Sequence, residues 1–322
     1  VSSKRMKQEE LFSYRYDFVK HRRLFFLLSA VVMVVGLIAV FATALGTSFG
    51  LKLGVDFQAG TRVEVDAGKP VDVQQVVDAA TAALGGLEPA TVETGGGGER
   101  VAMRYAETLS KDQIAALRKG LTDNLGSTVN FTESTVDPLY ARELAQKAAW
   151  AVLIASVGIA LYVLLRFEYR FAVAALVSLF HDALATIAAF WLLRLEVNLP
   201  FIAAVLTIVG YSINDTIVIF DRIRENLKYA QRLKTADDLA RLVNASLNQT
   251  LTRSVNTVLT VLFTAVALFF LGGEGIRNFS LALIVGLVSG AYSSIFVASQ
   301  LWYEWKVREL RRSRAKAVES AS

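Results

Sequence analysis

Six stretches of the chain are apolar on every side rather than along one stripe: about Leu24–Leu45, Ala148–Leu165, Phe171–Leu193, Pro200–Phe220, Leu251–Leu271 and Leu281–Tyr303. Each approaches or exceeds the roughly 18 residues that carry a helix across a bilayer. The pattern predicts a polytopic α-helical membrane protein with six transmembrane helices, spans 1 to 6. Between spans 1 and 2 the period changes. "GTRVEVD" alternates like a strand, "VDVQQVVDAATAALGG" has helical spacing with a glycine stop, and "PATVETGGGGERVAMRY" reads as two strands around a glycine-rich turn. A further helix, "LSKDQIAALRKGLTDNLG", and a strand, "STVNFTES", complete the order β-α-β-β-α-β. That order predicts a ferredoxin-like α+β domain, an antiparallel sheet with helices on one face.

The predicted domains are an N-terminal segment 1–23, span 1 at 24–45, the extracytoplasmic α+β domain at 46–147, spans 2 to 6 at 148–303 with an inner loop 221–250, and a basic tail 304–322. Two interfacial helices are expected beside them. One covers residues 5–20; the other, "TADDLARLVNASLNQT", is capped by Thr235 with Asp237 and Asp238 in its first turn and leads into span 5.

Composition agrees with the pattern: 54% of the 322 residues are hydrophobic and only four are proline. The net charge of +5 lies beside the spans, with no nucleic-acid-binding motif. Residues 1–23 carry seven Lys and Arg, whereas Gly46–Lys147 carries ten against fourteen acidic residues. The positive-inside rule therefore predicts both termini in the cytoplasm. The apolar core of span 1 is longer than a signal-peptide core, so it reads as an uncleaved span. The first residue is Val1, which fits a processed start or one half of a longer fused polypeptide, the second being mildly favoured. Cysteine is absent, which excludes disulfides and thiolate metal sites. The α+β domain shows no metal-ligand spacing and no catalytic cluster, so it reads as a binding or lever element; no metal, no cofactor and no enzymatic activity are expected of the chain.

Polar residues inside spans carry the functional signal, because an intramembrane charge is costly enough to need a bundle interior or a water path. Thr207, Tyr211, Asn214 and Asp215 follow i, i+4, i+7, i+8 spacing on span 4 and are expected to form a stripe pointing into the bundle. The stripe is either an interhelical hydrogen-bond knot or a protonatable relay. Arg253, near Asn256 at the start of antiparallel span 5, is either a snorkelling anchor or a charge that meets Asp215. His181 and Asp182 in the middle of span 3 are second-rank candidates. The histidine suits proton transfer, yet a satisfied core histidine is equally compatible with the pattern. Gly286 and Gly290 in span 6 form GxxxG and predict close helix packing. The Gly95–Gly98 run reads as a hairpin tip rather than a phosphate cradle.

"LGVDFQAGT", "FHDA", "IVGYSINDTIVIFDRIREN" and "LVNASLNQTLTRSVNTVLTVL" together resemble the SecF family, the smaller partner of SecD in bacterial protein export. The resemblance covers nearly the whole chain. It implies an RND-superfamily fold and use of the proton-motive force to assist late translocation across the inner membrane. Asp215 would carry the proton and Arg253 would respond to it. The implied partners are SecD, separate or fused, the SecYEG channel, YajC, YidC and the translocating unfolded polypeptide, with no nucleic acid. The family motif after span 1 falls on Gly54, Asp56, Phe57 and Gly60. The family usually carries two glycines after its Asp-Phe-Thr/Ser, whereas this chain has Gln58-Ala59-Gly60. Two other readings share these residues: an RND-type exporter of lipids or small molecules, and a purely structural subunit.

Overall fold

The computed structural model describes residues 14–126, 130–230 and 235–319. Among them, six helices are long and apolar enough to cross a membrane: Arg22–Ala44, Pro138–Arg166, Tyr169–Leu192, Leu199–Tyr229, Ala236–Leu271 and Gly275–Ser313. They match spans 1 to 6 in order. The described residues divide into two compact units, a helical one comprising 14–52, Val152–Glu196 and those from Pro200 on, and an α+β one comprising Leu53–Ala151 and Val197–Leu199.

In the α+β unit, strands β1 (Gly60–Asp66), β2 (Thr91–Gly95), β3 (Arg100–Tyr105) and β4 (Asn130–Val136) form one antiparallel sheet in the order β2-β3-β1-β4. Helices α1 (Val73–Ala83) and α2 (Lys111–Leu125) complete the ferredoxin-like order. Alternation places Val63 and Val65 of β1 and Val101, Met103 and Tyr105 of β3 in one core with Val76 and Ala80 of α1 and Leu117 and Leu121 of α2. Asp72 caps α1, and Ser110 with Gln113 closes a capping box on α2. Gly95 ends β2, and Gly96–Gly98 makes a single 3-10 turn before β3, a hairpin tip in agreement with the sequence. The strand expected at "STVNFTES" runs to Val136, beyond that motif, and its residues 127–129 lie outside the described ones.

The motif after span 1 is a turn held by its own unit. The Gly54 amide donates to the Val197 carbonyl at 2.8 Å, and Asp56 Oδ2 accepts from the Leu199 amide at 2.8 Å. Gly60 has φ +105, and a Cβ there would come within 2.2 Å of the Tyr105 carbonyl oxygen, so the position requires glycine. Ala59, beside it, adopts φ 63 and ψ −179, a region that glycine occupies without cost.

Within the helical unit, spans 3 and 6 are central, with 61% of their apolar windows buried, while spans 2 and 5 are peripheral at 11%. Close approach follows from small residues: a Cβ on Gly36 of span 1 would meet the Leu184 carbonyl of span 3 at 2.5 Å. Spans 4, 5 and 6 continue beyond what a bilayer requires. At 31 and 36 residues, spans 4 and 5 exceed the roughly 20 needed. Their extensions bury Phe220, Ile223, Leu239, Leu242 and Val243 against Phe171 and Trp302, whose rings stack at 4.8 Å.

Two sequence expectations are corrected here. The segment "TADDLARLVNASLNQT" is not a separate surface helix. It begins at a Thr235–Asp238 capping box and runs without a break into span 5, its apolar side buried in protein. Nor is the chain before span 1 an interfacial helix where it is described: residues 14–21 form turns. Residues 5–13 of that expectation lie outside the described residues. The turns are held by side chains of the span 5 extension. Asn244 Oδ1 accepts from the amides of Phe18 and Val19, and Asn248 Oδ1 from those of Arg15 and Tyr16. The basic tail is also helical, Ser299–Glu319 continuing span 6, with Arg22 paired to Glu304 at 2.5 Å and Arg170 to Glu309 at 2.6 Å.

Candidate functional site

Span 4 turns Asp215 inward, 7% exposed, while its neighbour Asn214 lies on the surface of the chain and Tyr211 is 41% exposed. Thr207 is half-buried, its hydroxyl donating to the Ala203 carbonyl at 2.8 Å. The expected inward stripe is therefore split. Consecutive helical residues point 100° apart, so Asp215 reaches the bundle while Asn214 leaves it.

The interior side is built by spans 5 and 6. Gly286 and Gly290 bring span 6 onto span 4 so closely that a Cβ at Gly286 would lie 2.2 Å from the Ile208 side chain, and one at Gly290 3.2 Å from Ser212 Cβ. The seam leaves a crevice of about 10 Å³ lined by Tyr211, Ser212 and Asp215 of span 4, Thr257 of span 5 and the two glycines. That is room for about one water molecule. Ser254 on span 5 and Ser294 on span 6 are both buried, and Ser294 bonds Thr216 Oγ1, next to Asp215, at 2.8 Å. Asp215 Oδ2 and Ser254 Oγ are nevertheless buried with no hydrogen-bond partner. A buried polar atom without a partner costs on the order of 1–3 kcal/mol, so this arrangement is held by the rest of the packing.

Arg253 precedes Ser254 on span 5 and lies on the surface of the chain, as does Asn256. Its charge acts on Asp215, but among the described residues no ion pair joins the two. The sequence brought both residues to the same end of the bundle; the structure buries Asp215 and leaves Arg253 exposed, with Ser254 the buried neighbour on span 5.

A second buried carboxylate stands on span 3. Asp182 is fully buried and accepts from Ser212 at 2.5 Å, Ser293 at 2.7 Å, Ser289 at 2.7 Å and His181 Nδ1 at 3.1 Å. His181 is also buried, stacked on Tyr292 at 5.8 Å, with Nε2 unpartnered. Both residues of the pair are buried. Each has a different neighbour: Asp182 meets spans 4 and 6, His181 the Tyr292 ring.

Sequence reasoning missed the winding of span 6. Ser294–Ala298 is a π-helical turn between two α-helical stretches, a distortion that recurs at functional sites. The Ile295 carbonyl released by the wider turn accepts from Ser299 Oγ and, at 3.3 Å, from Gln300 Nε2. The only trace in the sequence is "SSIFVASQ", a polar density unusual for an apolar helix.

Residues 117–308 match the family model for the C-terminal region of the protein-export membrane proteins SecD and SecF, and residues 45–71 the SecD/SecF GG motif. The chain is 44% identical over 303 residues to the protein translocase subunit SecDF of Bacillus subtilis, covering 94% of this chain and 40% of that relative. It is 45% identical over 304 residues to the protein translocase subunit SecF of Alicyclobacillus acidocaldarius, covering 93% of this chain and 96% of that relative. A crystal structure of SecDF from Thermus thermophilus, described as a translocon-associated membrane protein, superposes with a TM-score of 0.78 at 36% identity, over 92% of this chain and 39% of that one. The chain thus spans about two-fifths of the fused relatives and nearly all of the separate SecF.

Proposed function

We propose, because the chain belongs to the SecD/SecF family of protein-export membrane proteins and aligns along nearly the full length of a SecF, that it is a translocase subunit converting the proton-motive force into late protein translocation. The observation that carries this reading is Asp215: a carboxylate enclosed by three spans, one oxygen unpartnered, beside a crevice that admits about one water. An ionisable group so placed has no reason to persist in a bilayer unless it is paired or used. The proton is the coupled species, and the subunit acts by changing conformation rather than by bond chemistry.

One proton crossing 100 mV releases about 2.3 kcal/mol, enough to bias an element with two states a few kcal/mol apart. With Asp215 ionised, the crevice favours the hydroxyls of Ser254 and Ser294 and the charge of Arg253 nearby. Protonation removes that attraction and frees spans 4 and 5 to shift against the glycine seam. Release on the other side restores it. Arg253 responds to the charge without needing an ion pair.

The chain does not act alone. Tyr211, Asn214, Arg253, Asn256 and Thr260 lie on the surface formed by spans 4 and 5, and polar groups at membrane depth must face protein or water. A SecD-type half, separate or fused, covers them. SecYEG, YajC, YidC and the unfolded client are the remaining partners of this reading. The setting is the bacterial cytoplasmic membrane, with both termini in the cytoplasm as the basic flanks require.

The test is proton-driven release of a secreted protein from vesicles holding the complete complex, with Asp215→Asn at equal protein level. Asn keeps size and hydrogen bonding but cannot titrate, so loss of the gradient-dependent component is expected. Unchanged release would overturn the reading in favour of a structural subunit.

A further inference from the structure

The proposed cycle uses Asp215 and leaves Asp182 idle. Yet Asp182 takes four donors, Ser212 and Ser293 at Oδ2 and Ser289 and His181 at Oδ1. A carboxylate offers about four acceptor positions, so it is fully occupied. Two of those donors lead to the Asp215 crevice. Ser212 stands one turn before Asp215 on span 4 and lines the crevice itself. Ser293 receives a hydrogen bond from Ser178 at 2.8 Å and adjoins Ser294, whose hydroxyl bonds Thr216 Oγ1 at 2.8 Å.

Ser293 and Ser294 are consecutive and both fully buried, Ser293 bonding Asp182 and Ser294 bonding Thr216, the residue after Asp215. They do so at the point where span 6 passes from α to π winding. A shift of Ser293 therefore moves Ser294 and, through its bond to Thr216, the turn of span 4 that carries Asp215.

We propose that Asp182 is a positioning residue for the proton site: by holding Ser212 and Ser293, it fixes the wall of hydroxyls that the Asp215 carboxyl meets. The proposal rests on the reading of Asp215 as the proton carrier. It does not require Asp182 to exchange a proton. The charged and titratable groups around Asp215 are Arg253 on span 5, Tyr211 on its own helix and, behind Ser212, the His181–Asp182 pair on span 3.

The experiment reads Asp215 directly, by infrared difference spectroscopy of the complete complex across a pH series. The band of the protonated carboxyl is assigned by its absence in Asp215→Asn. Asp182→Asn keeps the volume but places an amide donor against two hydroxyl donors. Its Asp215 midpoint is expected to move by about one pH unit. Ser212→Ala with Ser293→Ala should give the same displacement, and adding Asp182→Asn to that pair should move it no further. A folded Asp182→Asn with the parental midpoint overturns the proposal, as does a displacement that the serine pair fails to reproduce. Should Asp182→Asn not fold, the serine pair decides: an unchanged midpoint is again fatal. Export remains a separate readout. A midpoint that moves in a complex whose export ignores Asp215→Asn defeats the proton-carrier reading and leaves the positioning effect standing.

Discussion

At the scale of single residues, two side chains in the α+β unit make opposite demands on their surroundings. Ala59 holds φ 63 and ψ −179, a conformation costing on the order of 1–3 kcal/mol for any residue but glycine. Ala59→Gly should therefore stabilise the unit by about 1 kcal/mol, seen as slower amide exchange along β1 and β4. Tyr105 is buried, and burial pushes its phenol from 10.0 up to about 12. The folded state gains proton affinity, so this contribution to stability is fully present below pH 10 and is lost as pH rises toward about 12. An alkaline titration comparing the parent with Tyr105→Phe should show the missing tyrosinate absorbance appearing only above the ordinary range. Asp215 was legible because a carboxylate in an apolar run has few explanations. Ser254, the buried residue beside Arg253 on span 5, was not: serine is common in spans and carries no signal of direction. Nor could spacing decide which of Asn214 and Asp215 turns inward, since that depends on which helices pack alongside.

At the scale of elements, the span 4 and span 6 contact is fixed by absence of side chains. Gly286→Ala would drive its methyl into the side chain of Ile208, which is 1% exposed. Overpacking of this kind costs about 1–3 kcal/mol, so a lower melting temperature in detergent is expected, with partial recovery on adding Ile208→Val. In the α+β unit, Leu117→Ala should cost about 2–5 kcal/mol by leaving a cavity between α2 and the sheet, measured by denaturant unfolding. The β-α-β-β-α-β order, the spans and the Thr235 cap could be read from periodicity and capping residues. The helical extensions of spans 4, 5 and 6 could not. Their apolar positions look like interfacial amphipathicity until the partner helices, and Trp302 with Phe171, are seen to cover them. The π turn was hidden for a related reason: its stabilising bonds from Ser299 and Gln300 to the Ile295 carbonyl are local and leave the hydrophobic pattern unchanged.

At the scale of the whole molecule, the polar surface of spans 4 and 5 predicts where a second bundle sits. The chain contains no cysteine, so single substitutions give unambiguous labels. Asn256→Cys in the complete complex should cross-link to the SecD-type half, whereas Ile154→Cys, on the outer face of span 2 at 67% exposure, should not. Cross-linking only from the span 2 position would refute this assignment of the surface. Span 5 adds a consequence of its own. Ala236–Leu271 is one unbroken helix carrying Arg253 and Ser254 on its membrane part and Asn244 and Asn248 at the amides of Arg15, Tyr16, Phe18 and Val19. Arg253 and Asn248 are five residues apart in the sequence, a separation of about 8 Å along the axis. A continuous helix that shifts as a unit carries both stretches with it. Those four amides are thus a built-in gauge: their hydrogen-exchange rates should rise and fall with the protonation cycle, reporting span 5 motion without any label.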